Sequence, residues 1–324
     1  MNNRCISGLK LGAGVAFALL AGLCASPSRS QEKPATQLVM AKILVTVEGD
    51  KDKQPPELKR EDVLAKVGKE RMATKHWEAA KGQYADLALF VVIDDVLDPS
   101  VGGLFGDIRE FIKGQPPTTL IGIAYTRNGT VSVAQDLTND HEAAAKALRL
   151  PSGNAGTYGN PYLSLTSLIK KWPGHGGRKE ILLITDGIDR MRQKSGRMDY
   201  MAPSTDVTTA SDAAKRAGIL VYSFYARGVG HLTRTNSAAA SGGQSRLAKL
   251  ADETGADSYF LGYGDPVSFK PYLDDFQTVL NNQYWLAFHI KPDSKPALKR
   301  IDVSTEVSGA EIVSANNIFI PAAK

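Results

Sequence analysis

The sequence predicts an α/β fold: a doubly wound, mainly parallel sheet of Rossmann-like type, with a small β subdomain formed by the terminal segments. Three observations predict it. Leu87 to Ile93 (LALFVVI) is an uninterrupted apolar run of strand length, and Glu180 to Ile184 carries a second one. Runs without polar alternation suit strands buried on both faces, as in a parallel sheet. Helical stretches with one apolar face alternate with these strands, which is the order that winds such a sheet. Both ends of the chain, Leu38 to Val47 and Tyr284 onward, are rich in β-branched residues.

Arg4 and Lys10 precede an apolar run from Leu11 to Leu23, which is too short to span a bilayer, and small residues follow. Residues 1–30 therefore read as a signal peptide, with cleavage after Ala25 or Ser30. Both cysteines, Cys5 and Cys24, fall in this leader, so the mature chain has no disulfide and no thiolate site. Residues 31–82 read as an N-terminal β segment, with a strand over Leu38 to Val47, a turn over Gly49 to Pro56 and a short helix or turn over Lys59 to Val67. The α/β domain takes 83–282, and a C-terminal β segment takes 283–324.

Inside the α/β domain, Gly103 to Lys113 reads as a helix with Leu104, Ile108, Phe111 and Ile112 on one face. Thr119 to Tyr125 is a strand, and Asn128-Gly129 turns it into a hairpin partner at Thr130 to Ala134. His141 to Leu148 is a helix capped by Thr138 or Asn139. A Gly/Pro/Asn loop covers 151–161, followed by a helix to Trp172. The strand from Glu180 ends at Thr185-Asp186-Gly187. Asp206 to Ala217 is a helix closed by Gly218, followed by a strand from Ile219 to Tyr225. A helix over Ser245 to Thr254 closes at Gly255, and Asp257 to Leu261 is a strand. Asp265 caps a helix with Phe269, Leu273, Phe276 and Leu280 on its apolar face. Strands return at Tyr284 to Ile290, Lys299 to Val307 and Asn317 to Ile320. The terminal β segments are too short to bury a face singly, so they are expected to pair.

The chain has 324 residues, 43% hydrophobic and 23% charged, which suits a folded protein with a sizeable core. Its net charge is +5, and removing Arg4, Lys10 and Arg29 with the leader leaves +2. There is no basic block or aromatic-interleaved basic stripe, so nucleic acid is not an expected partner. The five histidines have no metal-ligand spacing, and no Gly-x-Ser-x-Gly elbow occurs. Tyr158, Tyr162 and Trp172 read either as a binding surface or as core.

In a doubly wound sheet, ligands bind beyond the carboxyl ends of the strands, at the switch in strand order. The first central strand ends at Asp94-Asp95 and the later one at Asp186-Gly187, so these acids are expected to face one crevice. With LFVVIDD (Leu89 to Asp95), ILLITDGID (Ile181 to Asp189), VTVEGD and LKREDVLAKVGKE (Val45 to Glu70) and YWLAFHIKP (Tyr284 to Pro292) in this order, the chain resembles the von Willebrand factor A-related proteins of Acidobacteria. The resemblance covers nearly the whole mature chain. It implies a protein-interaction module rather than an enzyme, without a catalytic residue or bound cofactor, exported to the periplasm or secreted, with a protein partner and no transmembrane segment.

Metal-competent relatives carry Asp-x-Ser-x-Ser after the first strand and hold Mg²⁺ with those hydroxyls, a second-loop Thr and aspartates. Here the motif is degenerate. Asp94 matches the first position, the serine positions hold Val96 and Asp98, Ser100 lies just beyond, and Asp186 matches the later aspartate. Thr157, Ser164 and Thr166 compete for the second-loop hydroxyl. The resemblance thus implies Asp94, Asp98, Ser100 and Asp186 as the candidate metal ligands. Metal-dependent adhesion through Mg²⁺ is the alternative to metal-free interaction, and weak or absent Mg²⁺ binding is the expectation.

Overall fold

The computed structural model describes residues 38–50, 53–153, 159–191, 203–229, 237–260 and 267–322. The expected leader with Cys5 and Cys24 lies outside them, as do Thr157, Tyr158 and Asp265. The described chain begins with β1 (Val39–Gly49), β2 (Val63–Val67), β3 (Glu70–Met72) and β4 (Thr74–Ala79). The helix or turn expected over Lys59 to Val67 is confined to a 3-10 turn at Arg60–Asp62. The Asp62 carboxylate accepts the Lys59 amide at 2.8 Å, and from Val63 the alternating burial of Val63, Ala65 and Val67 selects a strand.

The central sheet contains β5 (Leu87–Asp94), β6 (Thr119–Arg127), β7 (Thr130–Thr138), β8 (Arg178–Thr185), β9 (Leu220–Tyr225) and β10 (Ser258–Tyr259). The order across it is β10-β9-β8-β5-β6-β7, with only β7 antiparallel. Counted from β5 as the first strand, this is the doubly wound order 3-2-1-4-5-6, read from the β7 edge. The β6–β7 turn is Asn128-Gly129, with φ of 51° and 71°, the left-handed pair that a two-residue hairpin turn requires.

Among the described residues, six helices cover the sheet: α1 (Phe105–Lys113), α2 (His141–Lys146), α3 (Pro161–Lys170), α4 (Thr205–Ala217), α5 (Ser237–Thr254) and α6 (Lys270–Asn281). β5 feeds both layers. Leu89, Val91 and Ile93 pack with Phe105, Ile108 and Ile112 of α1 and Leu273, Phe276 and Leu280 of α6. Phe90 and Val92 pack with Leu165 and Leu168 of α3, Val207 and Ala210 of α4 and Leu247 of α5. Burial on both faces is why its sequence shows no alternation.

Several boundaries differ from expectation for visible reasons. Pro99–Leu104 is a 3-10 segment, so the helix expected from Gly103 starts at Phe105. Asp140, rather than Thr138 or Asn139, caps α2 by accepting the Ala143 amide at 2.9 Å. The first amides of α6 are met by Asp107 of α1, which accepts from Phe269 N at 2.8 Å and Lys270 N at 3.2 Å. α5 begins at Ser237 rather than Ser245 and runs straight through Gly242-Gly243.

The remaining strands are β11 (Gln283–Ile290), β12 (Ala297–Thr305), β13 (Ala310–Ser314) and β14 (Asn317–Ile320). They join β1–β4 in two four-stranded antiparallel sheets, β13-β1-β11-β4 and β14-β12-β2-β3. β1 pairs with β11 from Val39↔Ile290 to Thr46↔Gln283. The two sheets share one core of Ile43, Val45, Val63, Ala65, Phe288, Ile301 and Ile318. Trp77 stacks on Tyr284 at 4.6 Å.

Candidate functional site

β5 and β8 are neighbours at the point where the strand order reverses, so their carboxyl ends open the crevice of the sheet. Asp94 ends β5 and Asp186 follows β8, and both side chains are buried. Asp94 Oδ1 accepts from Thr126 Oγ1 at 2.8 Å and Val96 N at 3.3 Å, and its Oδ2 accepts from Thr185 Oγ1 at 2.5 Å. Both threonines sit at tips of the strands flanking β5, and Thr126 is the register partner of Asp94. Burial pushes the Asp94 carboxyl up, and the Asp186 charge pushes it further; Arg190 and the two threonines pull the other way.

Asp186 is held by its own segment. Its Oδ1 accepts from Ile188 N and Arg190 Nη1, both at 3.0 Å, and its Oδ2 pairs with Arg190 Nη2. The chain turns here through Gly187 at φ 67°. Gly243 of α5 lies against the Asp186 carbonyl, where a Cβ would collide with the oxygen. Tyr162 Oη donates to the Gly187 carbonyl at 2.8 Å. Asp95 faces a different set of partners: Arg149 Nη1 and Nη2 at 2.7 and 3.2 Å and the Ser152 amide at 2.9 Å. Burial pushes the Asp95 carboxyl up, but Arg149 and the Ser152 amide outweigh it and hold it below the ordinary carboxylate range. The guanidinium of Arg149 also lies 3.7 Å over the Tyr125 ring.

The four candidate ligands fall into two pairs. Asp94 and Asp186 interact across the switch point. Asp98 and Ser100 belong to the following turn, where Asp98 Oδ1 accepts the Ser100 amide at 3.0 Å and caps the 3-10 segment. Ser164 and Thr166 donate their hydroxyls back to the Asn160 and Tyr162 carbonyls at 3.1 and 3.0 Å, inside α3. Tyr162 and Trp172 are packing residues: Tyr162 is fully buried, and Trp172 meets Phe90 edge-on at 5.1 Å.

Mg²⁺ asks for near-ideal octahedral oxygen donors. The arrangement does not fit that demand: a guanidinium holds both Asp186 oxygens, Val96 is buried beside Asp94, and the Asp98 carboxylate is turned to a backbone amide. Among the described residues, no three His, Cys, Asp or Glu side chains are placed to hold one ion. Sequence reasoning placed Thr185 at the strand end and Asp186 to Arg190 at the crevice but missed Thr126. It also missed that Thr185 and Arg190 hold the two acids, although a strand-tip hydroxyl beside a strand-tip acid and an Asp–Arg spacing of four were readable.

No protein-family model matches the chain, and no curated protein matches it. Solved structures do. The chain resembles von Willebrand factor type A structures. A von Willebrand factor type A structure from Catenulispora acidiphila is 10% identical, with 90% of this chain and 76% of that one covered and a TM-score of 0.42. The ArnB paralog VWA2 from Sulfolobus acidocaldarius is 12% identical over 89% of this chain and 76% of its own, with a TM-score of 0.36. An aerotolerance-related membrane protein from Bacteroides fragilis is 14% identical over 60% of this chain and 98% of its own, with a TM-score of 0.40. Among the described residues, no helix is long and apolar enough to cross a membrane.

Proposed function

We propose that this chain is a non-catalytic protein-interaction module of the bacterial cell envelope or secreted fraction, binding its partner at the rim of the switch-point crevice. The observation that carries this reading is the internal engagement of the crevice acids. Asp94 is held by two threonines, Asp95 by Arg149 and Asp186 by Arg190, so none is presented as a general base or nucleophile toward an open cavity. Around them the rim offers apolar contact surface instead. Leu150, next to Arg149, is 57% exposed and Met191, next to Arg190, is 40% exposed, so both have apolar area that a partner closing over the rim would remove from water. On this reading the two antiparallel sheets form a small subdomain that carries the α/β unit, and the leader directs export.

Photo-crosslinking in the native host tests the proposal. A crosslinking side chain placed at Leu150 or Met191 is expected to trap the same protein, with no adduct from Arg216 in the last turn of α4. Adducts from position 216 alone would place the binding face at the other end of the sheet and overturn the reading.

A further inference from the structure

The segment Asp186 to Arg190 folds back on itself so that a guanidinium faces the carboxylate four residues earlier. Arg190 Nη1 donates to Asp186 Oδ1 at 3.0 Å and Nη2 pairs with Oδ2, a two-point contact that a lysine cannot reproduce. The side chains are 5% and 0% exposed. Other elements shape the space to this pair. The Arg190 amide donates to the Gly159 carbonyl at 2.7 Å, and a Cβ on Gly228 would collide with Asp186 Oδ2 and press on Arg190 Nη2. The Arg190 charge is also felt at Asp94, across the switch point. One buried cation therefore serves two buried carboxylates that would otherwise repel each other.

We infer that Arg190 is the resident cation of this crevice, covalently built in, and that it makes partner binding there independent of divalent ions. The inference rests on the reading of the crevice as the binding face, but it concerns the charge balance inside it. A divalent ion in this position would meet oxygens already hydrogen-bonded to nitrogen and a positive charge within contact distance. The guanidinium is also too buried to bridge to an acidic side chain of a partner in the way an open-sited metal does. It neutralises the crevice acids, and recognition is left to the rim.

Thermal unfolding and calorimetry of the full mature chain with MgCl₂ and MnCl₂ provide the test, and neither measurement needs the partner. The wild-type midpoint is expected to stay constant with either ion. Arg190→Ala is expected to unfold at lower temperature. It should be rescued by methylguanidinium, and by Mn²⁺ with a midpoint rise of about 5 °C at a hundred times the dissociation constant. Adding Asp186→Asn should abolish both rescues. A Mg²⁺- or Mn²⁺-dependent midpoint in the wild type, lost in Asp186→Asn, would overturn the inference. So would a folded Arg190→Ala protein that responds to neither cation. Should Arg190→Ala fail to fold, Asp186→Asn/Arg190→Met removes both charges together. Recovery of the fold in that double variant supports the charge-pair role, and failure to recover refutes it. Loss of crosslinking at the rim with these results intact would instead fault the binding face.

Discussion

Replacing Glu180 by Gln should change how stability depends on pH, and the sign follows from where Glu180 sits. Its side chain is fully buried in β8, and neither oxygen has a hydrogen bond of good geometry. The neighbouring Arg178 is engaged elsewhere, donating to the Leu280 and Ala85 carbonyls at 2.9 Å each and to Gln283 Oε1 at 2.7 Å. Burial raises the Glu180 carboxyl from 4.5 to about 7, and Arg178 only partly offsets it. The folded state therefore holds this proton more tightly than the unfolded state. The contribution to stability is complete below pH 4.5 and is lost as pH rises through 7. The shift corresponds to about 3 kcal/mol. Glu48, raised to about 7 by burial and by the Asp257 charge, titrates in both proteins and cancels in the comparison. Denaturant unfolding at pH 5 and pH 8.5 is the assay. Because the unfolded carboxyl is already mostly ionised at pH 5, wild type should lose about 2 to 3 kcal/mol more than Glu180→Gln between the two. Parallel losses in the two proteins would refute the argument.

Gly243→Ala should lower the unfolding midpoint. Alanine is favoured over glycine in a helix by about 1 kcal/mol, but here its Cβ meets the Asp186 carbonyl, so a rise would show that α5 can move away from β8. Arg149→Ala leaves the Asp95 carboxylate buried against a single amide and should cost about 2 kcal/mol by chemical denaturation. That Asp95 contribution is present above the ordinary Asp range and fades as pH falls, so wild type and variant should converge in acid. Leu150→Asp and Met191→Asp should leave unfolding within about 0.5 kcal/mol of wild type while abolishing partner capture in a pull-down.

The central strands were legible because Leu87 to Ile93 is apolar at every position, and only burial on both faces asks for that. Asp94 and Asp186 interact across the switch point because β5 and β8 are neighbours there, whereas Asp95, expected in the same crevice, turns to Arg149. The short strands β3, β4 and β13 were not legible. β3 and β4 are largely polar and exposed or half-buried, and β13 is five residues with one buried apolar side chain, Ile312, so no periodic apolar signal marks them. α5 extends N-terminal to the expected start at Ser245 because it runs through Gly242-Gly243, where Gly243 is required by contact with another element. The pairing of Arg190 with Asp186 escaped notice because the comparison with Asp-x-Ser-x-Ser directs attention to oxygen donors. The cation four residues after Asp186 was in plain view, but only the turn at Gly187 brings it back onto the acid.

The pairing of β1 with β11 bears on when this chain is able to fold. Val39 lies opposite Ile290, so some 250 residues must be made and gathered before the first described strand finds its neighbour. Closing so long a loop is entropically costly, and contacts of such separation form late. Until then β1 presents two unpaired edges, and Leu286 and Phe288, later buried, have no cover on one side. In a nascent chain of this design the terminal sheets stay open until synthesis is nearly complete. Its ends close over the assembled α/β unit as the last step.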